Sequence, residues 1–429
     1  MSHYRVGQIG VGLMGAGISE YSGIECTPDS AQTPVPPSDT RLSRDWLSWL
    51  GNAHEDWRQP IPTITPNFIA EAFSVHPNTD LVAGADTNAA TLGAFGQRYE
   101  VKNLYRDYRE MLAKEQLDIV VVTTHTLPRA RITIDAAKTP GVKGLYLEQP
   151  LATTLEEADQ MVEVCASPGI PLTYHSFHPS FRTAKEIIDQ GEIGPLKSVT
   201  TPSWRAKGDT NALYYIIGSE AEWAFGVMCP RGDITNTCCN YQLTLGSLPL
   251  KPGYAHRCSQ CGGTYCENHL PPEAHRCPGS EQALRSWFDD CDCELNRNRG
   301  MIHFKNGVDC FVGTGETAAS FICEDGVITI DAGGQFRLWK KVKSPPWAAN
   351  RRVELPWPPP QYSSPNTTDG VEHLVRCMED GSEPKVSCRS VRDAMEIEIA
   401  LRESHNAGNV KLQLPLEDRK LRLTYRLRR

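Results

Sequence analysis

A chain of 429 residues has room for two or three domains with sizeable cores. Its 40% hydrophobic and 22% charged residues, with a net charge of −8, give no basis for nucleic acid or an anionic membrane as the main partner. The sequence has no run of about eighteen apolar residues and no basic-then-apolar secretory start, so the expected compartment is the cytoplasm.

The first fifteen residues carry the strongest local pattern. Tyr4 to Ile9 reads as a short buried strand, and Gly10-Val-Gly12-Leu13-Met14-Gly15 as a glycine-rich turn opening a helix. Gly-x-Gly-x-x-Gly after a strand is the dinucleotide fingerprint. Its first glycine allows the tight turn, the second lets the backbone approach a pyrophosphate, and the third lets the helix pack close. From about residue 21 to 66 the chain is rich in proline, which forbids a continuous helix, and we read an insertion there. A helical pattern resumes over Asn67–Phe73 and leads to a strand, Leu81–Ala85, ending in Asp86. The fingerprint asks for an acid about 20 residues past the glycines, to accept hydrogen bonds from the adenosine ribose. Asp86 is 71 residues past Gly15, and 25 once residues 21–66 are set aside. A carboxylate there favours NAD over NADP, whose 2′-phosphate it would repel.

Alternation of strand and helix continues. Tyr105–Leu112 reads as helix, Asp118–Thr124 as a buried strand, Arg129–Ala137 as helix and Gly144–Leu147 as strand. Thr154 and Glu157 have the spacing of a capping box for the next helix. The alternation predicts a doubly wound parallel sheet, at whose carboxyl edge Gly10–Gly15, Asp86, Thr124 and Glu148 would converge. After about Thr173 the pattern changes. Phe181–Gln190 is helical and Lys197–Trp204 strand-like. Met301–Val312 and Ala319–Ile330 read as hairpins around Asn306-Gly307 and Asp325-Gly326. Ser344–Pro365 reads as a proline-rich loop, Ser390–Gly408 as a capped helix, and the basic tail from Lys420 as an edge strand. These signals predict an α+β second part with a large, mainly antiparallel sheet.

The ordered series of glycines, Val82–Asp86, Tyr105–Tyr108, Thr123-Thr124, Tyr146-Leu-Glu148-Gln149-Pro150, Phe177–Lys185, Gly191–Val199 and Gly218–Gly226 resembles the Gfo/Idh/MocA family, named for glucose–fructose oxidoreductase and inositol 2-dehydrogenase. The resemblance implies a Rossmann-type domain over 1–150, interrupted at about 21–66, and a substrate and oligomerisation domain over 151–429, interrupted at about 235–298. It implies hydride transfer between NAD(P) and a sugar, cyclitol or related polyol, with homo-oligomers formed through the second sheet. Cofactor contacts would fall on Gly10, Gly12, Leu13, Met14, Gly15, Asp86, Thr124, Glu148 and Gln149. The family's Glu-Lys-Pro is here Glu148-Gln149-Pro150, with Pro150 expected after a cis or strained peptide bond. The family's histidine on the helix before Gly218 is missing at Gly208–Asn211, and another is matched by Arg129. A carboxamide can orient a hydroxyl but cannot take its proton. The candidates for the reacting end are therefore Gln149 with His175 and His178, and His125 nearby. A catalytically idle, dinucleotide-binding relative acting as a sensor or interaction protein is the alternative reading.

Nine of the fifteen cysteines lie between Cys229 and Cys293. Within that stretch Cys258, Cys261, Cys266, His269, His275 and Cys277 have spacings suited to tetrahedral zinc. The segment resembles the later part of a cross-braced zinc finger of the AN-one type. By that resemblance Cys258, Cys261, His275 and Cys277 would hold one zinc, and Cys266 and His269 would contribute to a second. The finger's preceding Cys pair is absent. A competing reading of both insertions is undesigned sequence, such as a retained intron contributes.

Overall fold

The structure, a computed structural model, describes residues 3–18, 68–166, 169–174, 179–204, 209–228, 256–257, 264–265, 298–313, 319–331, 336–342, 351–355 and 366–423. The insertion expected over 21–66 lies outside them, as does most of the one over 235–298.

The first sheet is parallel. Its strands are β1 (Tyr4–Ile9), β2 (Thr79–Ala85), β3 (Asn103–Tyr105), β4 (Ile119–Val122), β5 (Gly144–Leu147) and β6 (Leu172–Thr173), in the order β3-β2-β1-β4-β5-β6. β4 and β5 are buried at every position, as continuous apolar runs covered on both faces must be. The helices of this part are α1 (Leu13–Ala16), α2 (Ile69–Val75), α3 (Ala89–Arg98), α4 (Tyr108–Lys114), α5 (Thr126–Ala137) and α6 (Leu155–Ala166). The helix expected from Tyr105 begins only at Tyr108. Asn103–Tyr105 is drawn into the sheet beside β2, and Asp107 caps the helix through Arg109 N–H. The expected capping box of α6 is present: Glu157 N–H donates to Thr154 Oγ1, and Thr154 N–H to the Glu157 carboxylate.

The second sheet has nine strands and is mixed but mostly antiparallel. They are β7 (Leu196–Thr201), β8 (Ala221–Met228), β11 (Asn298–Phe304), β12 (Asp309–Val312), β13 (Ala319–Cys323), β14 (Gly326–Ile330), β15 (Phe336–Val342), β16 (Arg351–Leu355) and β17 (Leu412–Gln413). Only β7 and β12 pair in parallel. A separate two-stranded ribbon pairs β9 (His256–Arg257) with β10 (Thr264–Tyr265). Helices α7 (Pro179–Asp189), α8 (Asp209–Ile217), α9 (Asn366–Asp380) and α10 (Cys388–Asn406) complete the described elements, and no helix among them is long and apolar enough to cross a membrane. Two expectations change. The proline-rich loop contains a strand, because Arg351–Leu355 pairs with β15. Among the described residues, which include the basic tail only as far as Leu423, the edge of the sheet is β17. Leu421 and Leu423 instead bond the backbone of Leu155 and Thr153 at the start of α6.

Helix α9 packs not on the second sheet but on the first. Val371, Leu374 and Val375 share a core with Tyr4, Phe73 and Tyr146, and Met378 lies against Gly144 at the start of β5. Phe73 meets Tyr146 edge to face at 5.5 Å, a geometry that contributes about 0.5–1.5 kcal/mol beyond area burial. Polar groups reinforce the junction: His76 Nε2 lies 2.9 Å from Glu372 Oε2, and Arg376 donates to Glu372 Oε1 at 2.6 Å. Burial alone would raise the Glu372 carboxyl, but these hydrogen bonds outweigh it and hold it below its usual value. A carboxyl depressed on folding stabilises the fold above its unfolded value and loses that contribution as pH falls through the folded one. Glu372→Gln should therefore cost about 1–3 kcal/mol at neutral pH. Urea unfolding should show the cost shrinking in acid, below the unfolded value of about 4.3.

Candidate active site

The glycine turn leaves β1 at the carboxyl edge of the sheet. Gly10 has φ +83°, a conformation that side chains rarely adopt, and a Cβ there would sit 2.8 Å from the Thr124 nitrogen. A Cβ on Gly15 would come within 2.5 Å of both Gln8 Nε2 and Thr123 Oγ1. The turn therefore lies directly on the strands below it. Gln8, fully buried in β1, donates to Thr123 Oγ1 at 3.2 Å and to the Gly10 carbonyl at 3.4 Å. The Thr123 hydroxyl donates to the same carbonyl. The only mark of this polar support in the sequence is a glutamine inside an apolar strand.

Asp86 stands at the end of β2, as its spacing requires. One carboxylate oxygen accepts Val11 N–H at 2.9 Å and the other Asn88 N–H at 2.8 Å. The acid is thus fastened to the glycine turn itself, while oxygen lone pairs remain for a ribose. Gly12, Leu13 and Met14 lie on the turn and the first helical residues between Val11 and Gly15.

Thr124 and Glu148 end β4 and β5, side by side. The Thr124 hydroxyl is buried without a hydrogen-bond partner among the described residues, and Glu148 Oε2 accepts Gln149 N–H at 3.0 Å. Gln149, half-buried, precedes Pro150 through a cis peptide bond. Arg129 closes this edge. Only 3% exposed, it donates to the carbonyls of Glu148 (2.8 Å), Pro150 and Thr124. Burial lowers its pKa, partly offset by the nearby Glu148 charge. At a position where the resemblance expects a histidine, the chain has a clamp on the backbone of two strand ends rather than a proton carrier.

His125 is exposed at the N-cap position of α5, next to Thr124. His175 and His178 lie outside the described residues, immediately after β6 and Tyr174. Burial raises the Tyr174 phenol well above its usual value, so it stays protonated. Asn211, in the first turn of α8, is 4% exposed, with neither side-chain oxygen nor nitrogen bonded among the described residues. In the sequence it closes Gly208–Asn211, the stretch where the resemblance expects a histidine.

The six ligands expected for zinc, Cys258, Cys261, Cys266, His269, His275 and Cys277, lie outside the described residues. Among the described residues no group of three or more His, Cys, Asp or Glu is placed to hold a metal. The described cysteines, Cys165, Cys310, Cys323, Cys377 and Cys388, are buried free thiols.

Residues 63–175 match the oxidoreductase family with an NAD-binding Rossmann fold, GFO_IDH_MocA. This segment, about a quarter of the chain, is similar to the NAD-binding part of that family. It includes Asp86, Thr124, Glu148 and the Arg129 clamp. D-apiose dehydrogenase of Paraburkholderia graminis is 34% identical over 128 residues, 29% of this chain and 32% of that one. D-xylose 1-dehydrogenase [NADP(+)] of Haloarcula marismortui is 31% identical over 120 residues, 27% of this chain and 32% of that one. The match thus spans about a third of the length of these curated relatives. Levoglucosan dehydrogenase, solved in complex with NADH and levoglucosan, superposes with a TM-score of 0.58 at 14% identity, over 97% of this chain and 100% of that one. The likeness in fold therefore extends through both sheets.

Proposed function

We propose that this protein is an NAD(P)-dependent oxidoreductase that transfers a hydride between the nicotinamide and a carbon of a sugar, cyclitol or related polyol. The observation that carries the reading is the glycine turn. Gly10 and Gly15 leave no room for side chains, and the turn is tied to Asp86 at the edge where β1, β2 and β4 end. A dinucleotide fits this edge. Amides from Gly12 to Gly15 would face its pyrophosphate, Asp86 its ribose, and Thr124 and Glu148 the nicotinamide end. The bound nicotinamide supplies a hydride acceptor or donor. The chain's residues place it and handle the proton.

Proton handling departs from the family pattern. Gln149 can hold a hydroxyl by hydrogen bonds but cannot accept its proton, so we assign general acid–base work to His175 or His178. Asn211, with two buried unbonded polar atoms, supplies a further contact for a polar substrate. Gln149 also favours a second reading, a relative that binds the dinucleotide but turns over little. Calorimetric titration with NADH, followed by a screen of sugars and cyclitols for NADH formation, separates the two. Binding with turnover supports the enzyme, binding without turnover supports the sensor, and no binding defeats both. Restoring the lysine by Gln149→Lys should raise kcat by about 10²-fold or more, the scale of general acid–base help, with NADH affinity little changed. An unchanged kcat would remove Gln149 from the reacting end.

We further propose that residues 1–150 and 151–429 form the cofactor and substrate domains, and that the second sheet is the surface of a homo-oligomer. For the cysteine-rich insertion we propose one zinc on Cys258, Cys261, His275 and Cys277, with Cys266 and His269 at a second site. Support comes from the ligand spacing and from the β9–β10 ribbon, whose strands flank Cys258 and Cys261 in sequence. Metal analysis of the purified protein that finds no zinc would end that assignment.

A further inference from the structure

We propose that the C-terminal segment from Leu412 to Leu423 is a strap that fixes the cofactor edge of the first sheet against the second sheet, with Arg419 as the positioning residue that holds it closed. The bonds of the strap are independent of any ligand. Its effect on the nicotinamide rests on the nucleotide reading proposed for that edge.

One end of the strap is anchored to the second sheet. Val410 N–H donates to the Ser404 carbonyl at 3.1 Å, β17 pairs with β8, and Leu414 N–H donates to the Glu222 carbonyl at 2.9 Å. The other end lies at the start of α6. Glu156 N–H donates to the Arg419 carbonyl at 2.7 Å, Leu155 N–H to the Leu421 carbonyl at 3.0 Å, and Leu423 N–H to the Thr153 carbonyl at 2.9 Å. The opening amides of a helix have no partner within it. In α6 the third, Glu157, is served locally by Thr154 Oγ1, and the first two by the strap. The start of this helix is therefore completed by chain about 260 residues further on.

Arg419 draws the middle of the strap onto both parts. Its Nε and Nη2 donate to the two oxygens of Asp159 in α6, at 2.7 and 2.9 Å. Its Nη1 donates to Glu396 in α10 and to the Leu416 carbonyl. Glu396, buried in α10, also accepts Leu416 N–H at 2.8 Å. A bidentate guanidinium–carboxylate pair fixes direction as well as distance. Between the strapped Thr153 and the cis Gln149-Pro150 corner are only Leu151 and Ala152, both fully buried. Movement of the strap therefore reaches the corner through packed chain. In the nucleotide reading that corner meets the nicotinamide, whereas the glycine turn and Asp86 meet the pyrophosphate and ribose. A misplacement of about 1 Å, caused far from the chemistry, can cost about 10²-fold in rate.

The test uses the full chain as wild type, Arg419→Met and Arg419→Lys. Titrations with NADH and with ADP-ribose, which lacks the nicotinamide, are paired with hydrogen exchange followed by mass spectrometry. Arg419→Met should speed exchange at Leu155 and Glu156 by about tenfold or more, with β4 and β11 unchanged. It should weaken NADH by about tenfold and ADP-ribose by less than about threefold. Arg419→Lys should recover part of both effects, since it keeps the charge without the fork. Equal losses of both nucleotides, or faster exchange throughout both sheets, would reduce Arg419 to general stability and overturn the proposal. So would wild-type exchange at α6, or wild-type NADH affinity, in Arg419→Met. If wild type binds neither nucleotide, the nucleotide reading fails, and exchange at Glu148 and Gln149 decides the strap. Acceleration there in Arg419→Met supports a fixed edge, and wild-type rates reject it.

Discussion

Replacing Arg129 with methionine should cost about 3 kcal/mol or more of stability, because each buried acceptor left without a donor carries a penalty of about 1–3 kcal/mol. The carbonyls of Thr124, Glu148 and Pro150 would all lose the guanidinium. Methionine fills much of the volume but offers no N–H. The loss should appear as a lower urea midpoint, accompanied by weaker NADH binding, since the clamped strand ends border the edge proposed for the cofactor. Arg129→Lys should recover less than half, because one ammonium on a shorter stem cannot reach across two strand ends as a planar fork does. A methionine variant as stable as wild type would mean that water or a rearranged Gln149-Pro150 corner takes over the three carbonyls.

Gly15→Ala should separate binding from folding in the opposite direction. The added methyl meets Gln8 Nε2 and Thr123 Oγ1 at 2.5 Å and the Gly10 carbonyl at 2.8 Å, so the turn must lift off the strands. Overpacking of this kind costs about 1–3 kcal/mol. Falling on the turn that would hold the pyrophosphate, it should weaken NADH by roughly 5–150-fold. Circular dichroism should remain that of wild type. Unchanged NADH affinity would place the dinucleotide away from this turn. Trimming Gln8 to alanine alongside Gly15→Ala should restore part of the affinity by clearing one of the three clashes.

The parallel sheet was legible because its strands obey local rules. Ile119–Val122 and Gly144–Leu147 are unbroken buried runs, and the spacing from Gly15 to Asp86 closed once residues 21–66 were set aside. The capping box at Thr154 and Glu157 and the hairpin turn at Asn306-Gly307 were equally local. What stayed hidden depends on distant partners. Arg129 has an ordinary helical context, and only the fold brings it to carbonyls about twenty residues onward. Gln8 reads as a flaw in a strand until Thr123 lies beside it. Arg351–Leu355 sits between prolines and becomes a strand only because β15 offers an edge. The position of Asp86 at the end of β2 is readable from its spacing, but its bond to Val11 depends on the β1–β2 pairing that brings the glycine turn beside it.

Helix α9 bears on how the chain comes into being. Tyr4, Phe73 and Tyr146 are sealed by Val371, Leu374 and Val375, which a ribosome adds more than two hundred residues after Tyr146. At about 5–20 residues per second, the nascent nucleotide half waits roughly ten seconds or longer with one apolar face uncovered. A gene fragment ending near residue 150 should therefore emerge aggregation-prone, and co-expression of residues 366–423 alone should not rescue it unless α10 also finds its sheet. During synthesis that open face is a natural landing place for a holdase chaperone, until the last sixth of the chain displaces it.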